Sequence, residues 1–201
     1  MTRAVAGWRT LDDGRRLRRP SGTPERQDEL PEDLAAGVEL DGVDLAGSRR
    51  DRLSLVDCVL RRCELTAAVW QQVTARQSEL VDCRALGLRL SVDLAQDLWV
   101  SGCRFDQSVL HLERVRGLVV FTGCSFADAE LAGDLSRVVA VDCDFAGAEF
   151  AASGADGFDL RGSRLAGARG LLTLRGARVS IDQTVTVAGR LATEVGLTVE
   201  Q

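Results

Sequence analysis

The chain has 201 residues, 45% of them hydrophobic and 27% charged, with a formal net charge of −5. This balance suits a packed globular protein and excludes a disordered one, and no apolar run approaches the roughly 18–20 residues of a membrane-crossing helix. All 25 basic residues are arginine and tyrosine is absent, which excludes lysine phosphate loops, lysine Schiff bases and tyrosine acids, while the negative balance argues against direct nucleic-acid binding.

Residues 1–8 lack the apolar core of a secretory signal, so a cytoplasmic location is expected. Residues 1–37 hold seven arginines, seven acids and all three prolines. They are expected to form a mostly irregular arm, with a short helical turn opening at Pro31, where acids fill the first turn. Arg15, Arg16, Arg18 and Arg19 make a basic cluster that is either a solvated arm balanced by Asp12, Asp13 and Glu25 or a phosphate contact.

A repeat begins at residue 38. Cys63, Cys83, Cys103, Cys124 and Cys143 are spaced by 20, 20, 21 and 19 residues, and two positions further on stand Leu65, Ala85, Phe105, Phe126 and Phe145. Both columns extend, to Val43 and Leu45 at one end and to Ser163 and Leu165 at the other. Such a period marks a stacked, quasi-one-dimensional fold. Within it runs a finer period of five, as in Val43-Asp-Leu45, Cys63-Glu-Leu65 and Phe158-Asp-Leu160: a small or apolar residue, a polar one, then a large apolar one. Neither a helical nor a simple strand period fits. Two stretches break phase, because Asp93 and Glu113 would fall on inward positions. A bulge is expected there, since an uncompensated inward carboxylate costs about several kcal/mol. The 21 and 19 spacings mark a residue inserted and later removed.

Several outward positions are apolar rather than polar: Val59, Val81, Trp99, Val119, Val139 and Val141. Such a stripe on a soluble rod is either covered or a binding site. The arm carries Trp8, Leu11, Leu17, Leu30 and Leu34 but too little to build its own core, so it is the expected cover, with a partner site as the alternative. Further along, Asp128, Glu130, Asp134, Asp142, Asp144, Glu149, Asp156 and Asp159 face one arginine, Arg137, whereas residues 161–178 hold five arginines and no acid. The acids either fill the polar middle position of the repeat or form an acidic partner surface that imitates a line of phosphates.

At the other end, Ser180 and Gln183 make a capping box, Val185, Ala188, Leu191, Ala192 and Val195 follow helical spacing, and Gly196 stands at a C′ position. A helix over 181–195 would cover the last coil and offer its apolar stripe for dimerisation. Nothing points to catalysis. His111 stands alone, the cysteines lack metal-ligand spacing, and phosphate-loop and hydrolase motifs are absent, so no catalytic, cofactor or metal residue is expected and the cysteines read as reduced core fillers.

The five-residue pattern resembles that of the pentapeptide-repeat family, whose loose consensus is Ala-Asp/Asn-Leu-x-x, over about residues 38–179. The resemblance implies an all-β fold, a right-handed quadrilateral β-helix with four pentapeptides per coil, here of about seven coils, with the arm (1–37) before it and the short C-terminal α-helix and tail (180–201) after it. It implies a non-enzymatic protein that presents a surface. Some members, the mycobacterial fluoroquinolone-resistance type among them, are dimeric DNA mimics that dock on DNA gyrase and modulate or protect it. A gyrase modulator, homodimeric through the C-terminal helix, is thus one expectation; an interaction scaffold for an unknown protein partner is the other.

Overall fold

The computed structural model describes residues 3–5 and 7–199, with side chains from Gly7 onward; residues 1, 2, 6, 200 and 201, which include parts of the leader reading and of the tail, lie outside the described residues. From Glu25 onward the chain winds as a parallel β-solenoid. From Leu34 onward backbone pairing joins strand residues to those about 20 positions later, and each turn has four strand positions five residues apart. The first face carries the outward column Asp44, Glu64, Arg84, Arg104, Ser125, Asp144 and Arg164. The second carries Arg49, Val69, Arg89, Val109, Glu130, Glu149 and Arg169. The third begins Leu34, Ser54, Thr74, Leu94. The fourth runs Glu39, Val59, Glu79, Trp99, Val120, Val139, Asp159 and Arg178.

The four-sided section follows from corners placed every five residues. Arg52, Asp57, Arg62, Ala67, Gln72, Gln77 and Asp82 all have φ between 48° and 59°. The left-handed region disfavours side chains, and these corners hold because ladders on both sides fix the backbone. Gly133, with φ +90°, and Gly170, with φ +69°, require glycine, because a Cβ there would overlap a carbonyl oxygen of the preceding coil, that of Leu112 and that of Phe150 respectively.

Two inward columns show why the sequence repeats. Leu45, Leu65, Ala85, Phe105, Phe126, Phe145 and Leu165 are all buried. The rings of Phe105 and Phe126 stack at 5.2 Å and those of Phe126 and Phe145 at 4.8 Å, within 10° of parallel. This is the coil spacing of about 4.8 Å, so each ring packs face to face on the next. The cysteine column is buried as well, and the thiols of Cys63, Cys83 and Cys124 point at carbonyls of the preceding coil, as Cys83 Sγ does toward Leu60 O at 3.5 Å. Ser163 takes over that role at the end of the column, donating to Ala140 O and accepting from Cys143 N. Burial pushes the Cys58 thiol up, and along the ladder the neighbouring thiol and burial push Cys63, Cys103 and Cys143 up.

The structure corrects three sequence expectations. The first face has seven rungs and therefore about six turns, not seven; six spacings give a rod of roughly 29 Å. Where another turn would start, Leu171–Thr173 forms a 3₁₀ turn and the helix takes over. The arm, expected to be mostly irregular, carries short strands between its turns: β1 (Arg3–Val5), β2 (Trp8–Thr10) and β3 (Arg16–Arg18) form a three-stranded antiparallel sheet, and β4 (Glu25–Gln27), before the expected boundary at residue 38, already belongs to the solenoid, paired with Val38–Asp41. The helical turn expected at Pro31 is replaced by β5 (Leu34–Ala36), because Ser54–Val56 offers it an open parallel edge.

The phase breaks sit where the spacings place them. The ladder slips between Trp70↔Leu90 and Thr74↔Leu94, which leaves Asp93 half-buried at the surface and Glu113 exposed. The inserted residue lies opposite Asp97: Gln96 pairs Arg116, but Leu98 pairs Val119. Gly117 turns there with φ +73°, and Asp97 accepts from Leu118 N.

Phe126 lies between two rings with no exposed surface. Phe126→Ala or Phe145→Ala should lower unfolding free energy by about 3–5 kcal/mol, the usual cost of a large core cavity. Chemical denaturation checks this, and losses under ~1 kcal/mol at both sites would place the rings outside the core.

Candidate functional site

The fourth face and the arm form the most elaborate surface of the molecule. In the arm sheet Arg9 pairs with Leu17 and Trp8 with Arg18, so alternation puts Arg9 and Leu17 on one side and Trp8, Arg16 and Arg18 on the other. Leu17 is buried against Trp99, Val120 and Val139, with Leu11 and Leu118 beside them. On the open side, the guanidiniums of Arg16 and Arg18 lie 4.6 and 5.3 Å from the Trp8 ring.

Two carboxylates flank this apolar centre. The Glu79 side chain is 4% exposed and meets Arg9 and Arg19, each at 3.3 Å. The Asp159 side chain is 6% exposed and meets Arg15 and Arg161, each at 2.8 Å. Arg15 also bonds Asp13 from its Nε at 2.6 Å, so Asp13, Arg15, Asp159 and Arg161 form one ionic chain. Burial pulls the Arg9 guanidinium below its usual value while Glu79 opposes that, and the Arg9 group stacks 4.0 Å above Trp99. The hydrogen bond from Arg161, with Arg15 opposite, holds the Asp159 carboxyl below the usual range, and Arg15 does the same for Asp13.

Among the apolar stripe residues, Val59, Trp99 and Val139 are buried on this face, Val81 is half-buried and Val141 is exposed. Val119 does not point outward. It lies in the solenoid core and Val120 takes the outward place beside Trp99, because the inserted residue shifts the phase by one. Sequence reasoning missed Glu79 and read Asp159 only as one of the acidic stretch, since an outward acid is what the repeat asks for anyway. The available signal was the arginine spacing in the arm.

The acidic stretch is not gathered into one strip. Asp144 stands on the first face and pairs with Arg164 at 3.2 Å; Glu149 stands on the second with Glu130 and pairs with Arg169 at 3.3 Å; Asp159 is on the fourth. Asp128 and Asp142 occupy corners, and Asp128, Glu130, Asp142 and Asp156 are exposed. Asp134 accepts from Val115 N and from the backbone and hydroxyl of Ser136; burial pushes its carboxyl up, but these bonds outweigh it and hold it below the usual range.

The helix α1 (Ile181–Glu194) has both halves of its capping box. Gln183 is buried and donates to Leu160 O and Ser163 O, both at 2.6 Å, while Glu194 accepts from Gly170 N and Leu172 N. With Val187 and Leu191 these residues face the last coil. Leu191 thus belongs to the cap, not to the outer stripe, whereas Val185, Ala188 and Val195 are exposed and Ala192 is half-buried. His111 is half-buried beside Glu113 at 3.4 Å, and among the described residues no group of three or more His, Cys, Asp or Glu side chains is placed to hold a metal ion. Among the described residues no helix is long and apolar enough to cross a membrane.

The ionic chain sets a pH dependence. A carboxylate whose folded pKa is depressed adds stability above its unfolded pKa and loses it as pH falls through the folded value. Asp159, faced by Arg15 and Arg161 with Asp13 next in the chain, should therefore hold the arm at neutral pH and release it below about pH 4. Tryptophan emission followed from neutral to acid pH should red-shift there, and Asp159→Asn should remove that transition. An unchanged profile in the variant would mean that Asp159 is not the anchor.

No family model and no curated protein matches this chain. Among solved structures it is similar to a trypsin-treated form of QnrB1, a plasmid-mediated fluoroquinolone resistance protein, at 16% identity over 82% of this chain and 81% of that one, with a TM-score of 0.38. It is similar to HetL, a pentapeptide-repeat protein involved in heterocyst differentiation regulation from the cyanobacterium Nostoc sp. strain PCC 7120, at 18% identity over 74% and 69% of the two chains, TM-score 0.33. It is also similar to the pentapeptide-repeat protein Rfr23 of the cyanobacterium Cyanothece 51142, at 11% identity over 72% and 88%, TM-score 0.20. The chain resembles the pentapeptide-repeat proteins.

Proposed function

We propose that this protein is a non-enzymatic scaffold that works by presenting its outer surface to a protein partner and that pairs with a second copy through α1. The observation that carries this is the outer side of α1. Ile181 is 84% and Val185 74% exposed, and Val195, Leu197 and Val199 continue the apolar surface at the very end of the rod. Within the helix, positions 181, 185, 188 and 192 follow the alternating four- and three-residue steps of a helix-pairing stripe, and Val195 stands at its C-cap. A contiguous exposed apolar stripe marks a protein contact, and a contact between two identical ends closes on itself and stops growth. The six buried free thiols agree with a reducing, cytoplasmic setting.

A second reading, modulation of DNA gyrase by phosphate mimicry, is supported by the exposed Asp128, Glu130, Asp142 and Asp156. It is opposed by the arginines that neutralise Asp144, Glu149 and Asp159, so the scaffold reading is preferred.

Two measurements separate these. Val185→Asp, which leaves the cap of Gln183, Val187 and Leu191 in place, should give a folded monomer by light scattering; a wild type already monomeric at tens of micromolar ends the dimer reading. Purified protein added to a gyrase supercoiling assay should leave supercoiling and drug-induced cleavage unchanged under the scaffold reading. A dose-dependent change in either would establish the gyrase reading in its place.

A further inference from the structure

The arm rests on the solenoid without joining it. Its strands form a sheet separate from the solenoid ladder, and its apolar contact is a cluster separate from the solenoid core. Between β3 and β4 the chain runs through Pro20 and Pro24, pinned at Ser21, whose backbone N–H and hydroxyl donate to Asp57 at 2.9 and 2.6 Å. Lifting the arm breaks the contacts of Leu17 and the ion pairs of Arg9, Arg15 and Arg19, but no rung of the solenoid.

The surface beneath has a definite chemistry. Glu79 and Asp159 lie on one outward column, with Trp99, Val120 and Val139 between them. An outward carboxylate on a solenoid ordinarily keeps its water. Here both are buried, and their partners are mainly arm arginines. A face with a carboxylate at each end and an aromatic and aliphatic middle complements a strand or hairpin in which arginine alternates with leucine. The arm does not fill this face. A cavity of about 280 Å³ remains between its Leu11–Arg15 turn and Trp99, Thr122 and Val139, and both the Thr122 hydroxyl and Arg9 Nη1 are buried without a hydrogen-bond partner.

We propose that the fourth face is the partner-docking surface of this protein, that the partner presents an arginine-bearing β-ribbon, and that the arm is its exchangeable internal competitor. This rests on the scaffold reading for the existence of a partner, and not on the identity of that partner or on the dimer.

The test uses full-length protein and a fluorescein-labelled peptide of residues 7–20, read by anisotropy. Combining Arg9→Glu, Arg15→Glu and Arg19→Glu releases the internal arm. That variant should bind the peptide at least about tenfold more tightly than wild type does, because the competent state is no longer occupied. Binding should weaken in about 0.5 M salt, where screening reaches within a few ångströms. Adding Glu79→Gln and Asp159→Asn should abolish it, and a peptide with its arginines changed to glutamate should not bind. Equal affinity of wild type and variant, or equal binding of the charge-reversed peptide, overturns the proposal. If the triple variant loses its circular-dichroism signal, Arg15→Ala with Arg19→Ala takes its place and must still bind more tightly than wild type. A supercoiling assay without effect leaves the exchange result standing, and failed exchange beside a confirmed partner refutes only the choice of this face.

Discussion

Everything in this molecule depends on one coil lying in register on the next. The backbone ladder requires the chain to return to the same corner after about 20 residues, and the return distance is the thickness of a strand. That thickness is also the stacking distance of a phenyl ring, so the Phe105, Phe126 and Phe145 rings can pile on one another without leaving their rotamers. The same constraint explains the cysteines. At their position the interior is narrow and lined by carbonyls of the coil below, and a thiol or a serine hydroxyl fills it while pointing a weak donor at one of them.

The register also explains where the sequence is allowed to deviate. An extra residue at 117–118 cannot be absorbed inside a ladder, so it bulges at a corner, with glycine in the left-handed region and Asp97 accepting the exposed backbone N–H. Between Gly133 and Val138 the chain shortens again and the columns return to phase. The insertion therefore costs one local irregularity and not the alignment of the coils above it.

A stacked ladder leaves unpaired backbone at both ends, and each end is closed differently. At the start, β4 and β5 extend the fourth and third faces, and the Cys58 thiol donates to Ala35 O. At the far end α1 supplies side chains in place of a coil: the Gln183 amide satisfies two carbonyls and the Glu194 carboxylate satisfies two N–H groups. The helix thus substitutes polar side chains for the next turn while Val187 and Leu191 cover the interior, which frees its other side. The arm solves a different problem. The fourth face interrupts the polar outer surface with Trp99, Val120 and Val139, and two arm leucines, Leu17 and Leu11, with three arginines cover that break.

The sequence alone determined the repeat, the identity of the inward columns, the helix with its capping box and the existence of an outward apolar stripe. All of these are periodic or local, and periodicity survives without coordinates. What it left undecided depends on contacts between distant segments. Val119 and Val120 exchange roles because the position of one inserted residue is fixed only by pairing with the coil below. In α1 two stripes satisfy helical spacing, one through Gln183, Val187 and Leu191 and one through Ile181, Val185 and Val195, and only docking on the last coil chooses the first as the buried one. The arm becomes strands because isolated three-residue segments have no preference strong enough to act before the fourth face offers Leu17 a place. Glu79 and Asp159 resemble every other outward acid until the arm brings arginines from 60 and 144 residues away. Burial and charge pairing are properties of the assembled surface, which is why the tertiary structure alone could single these two carboxylates out.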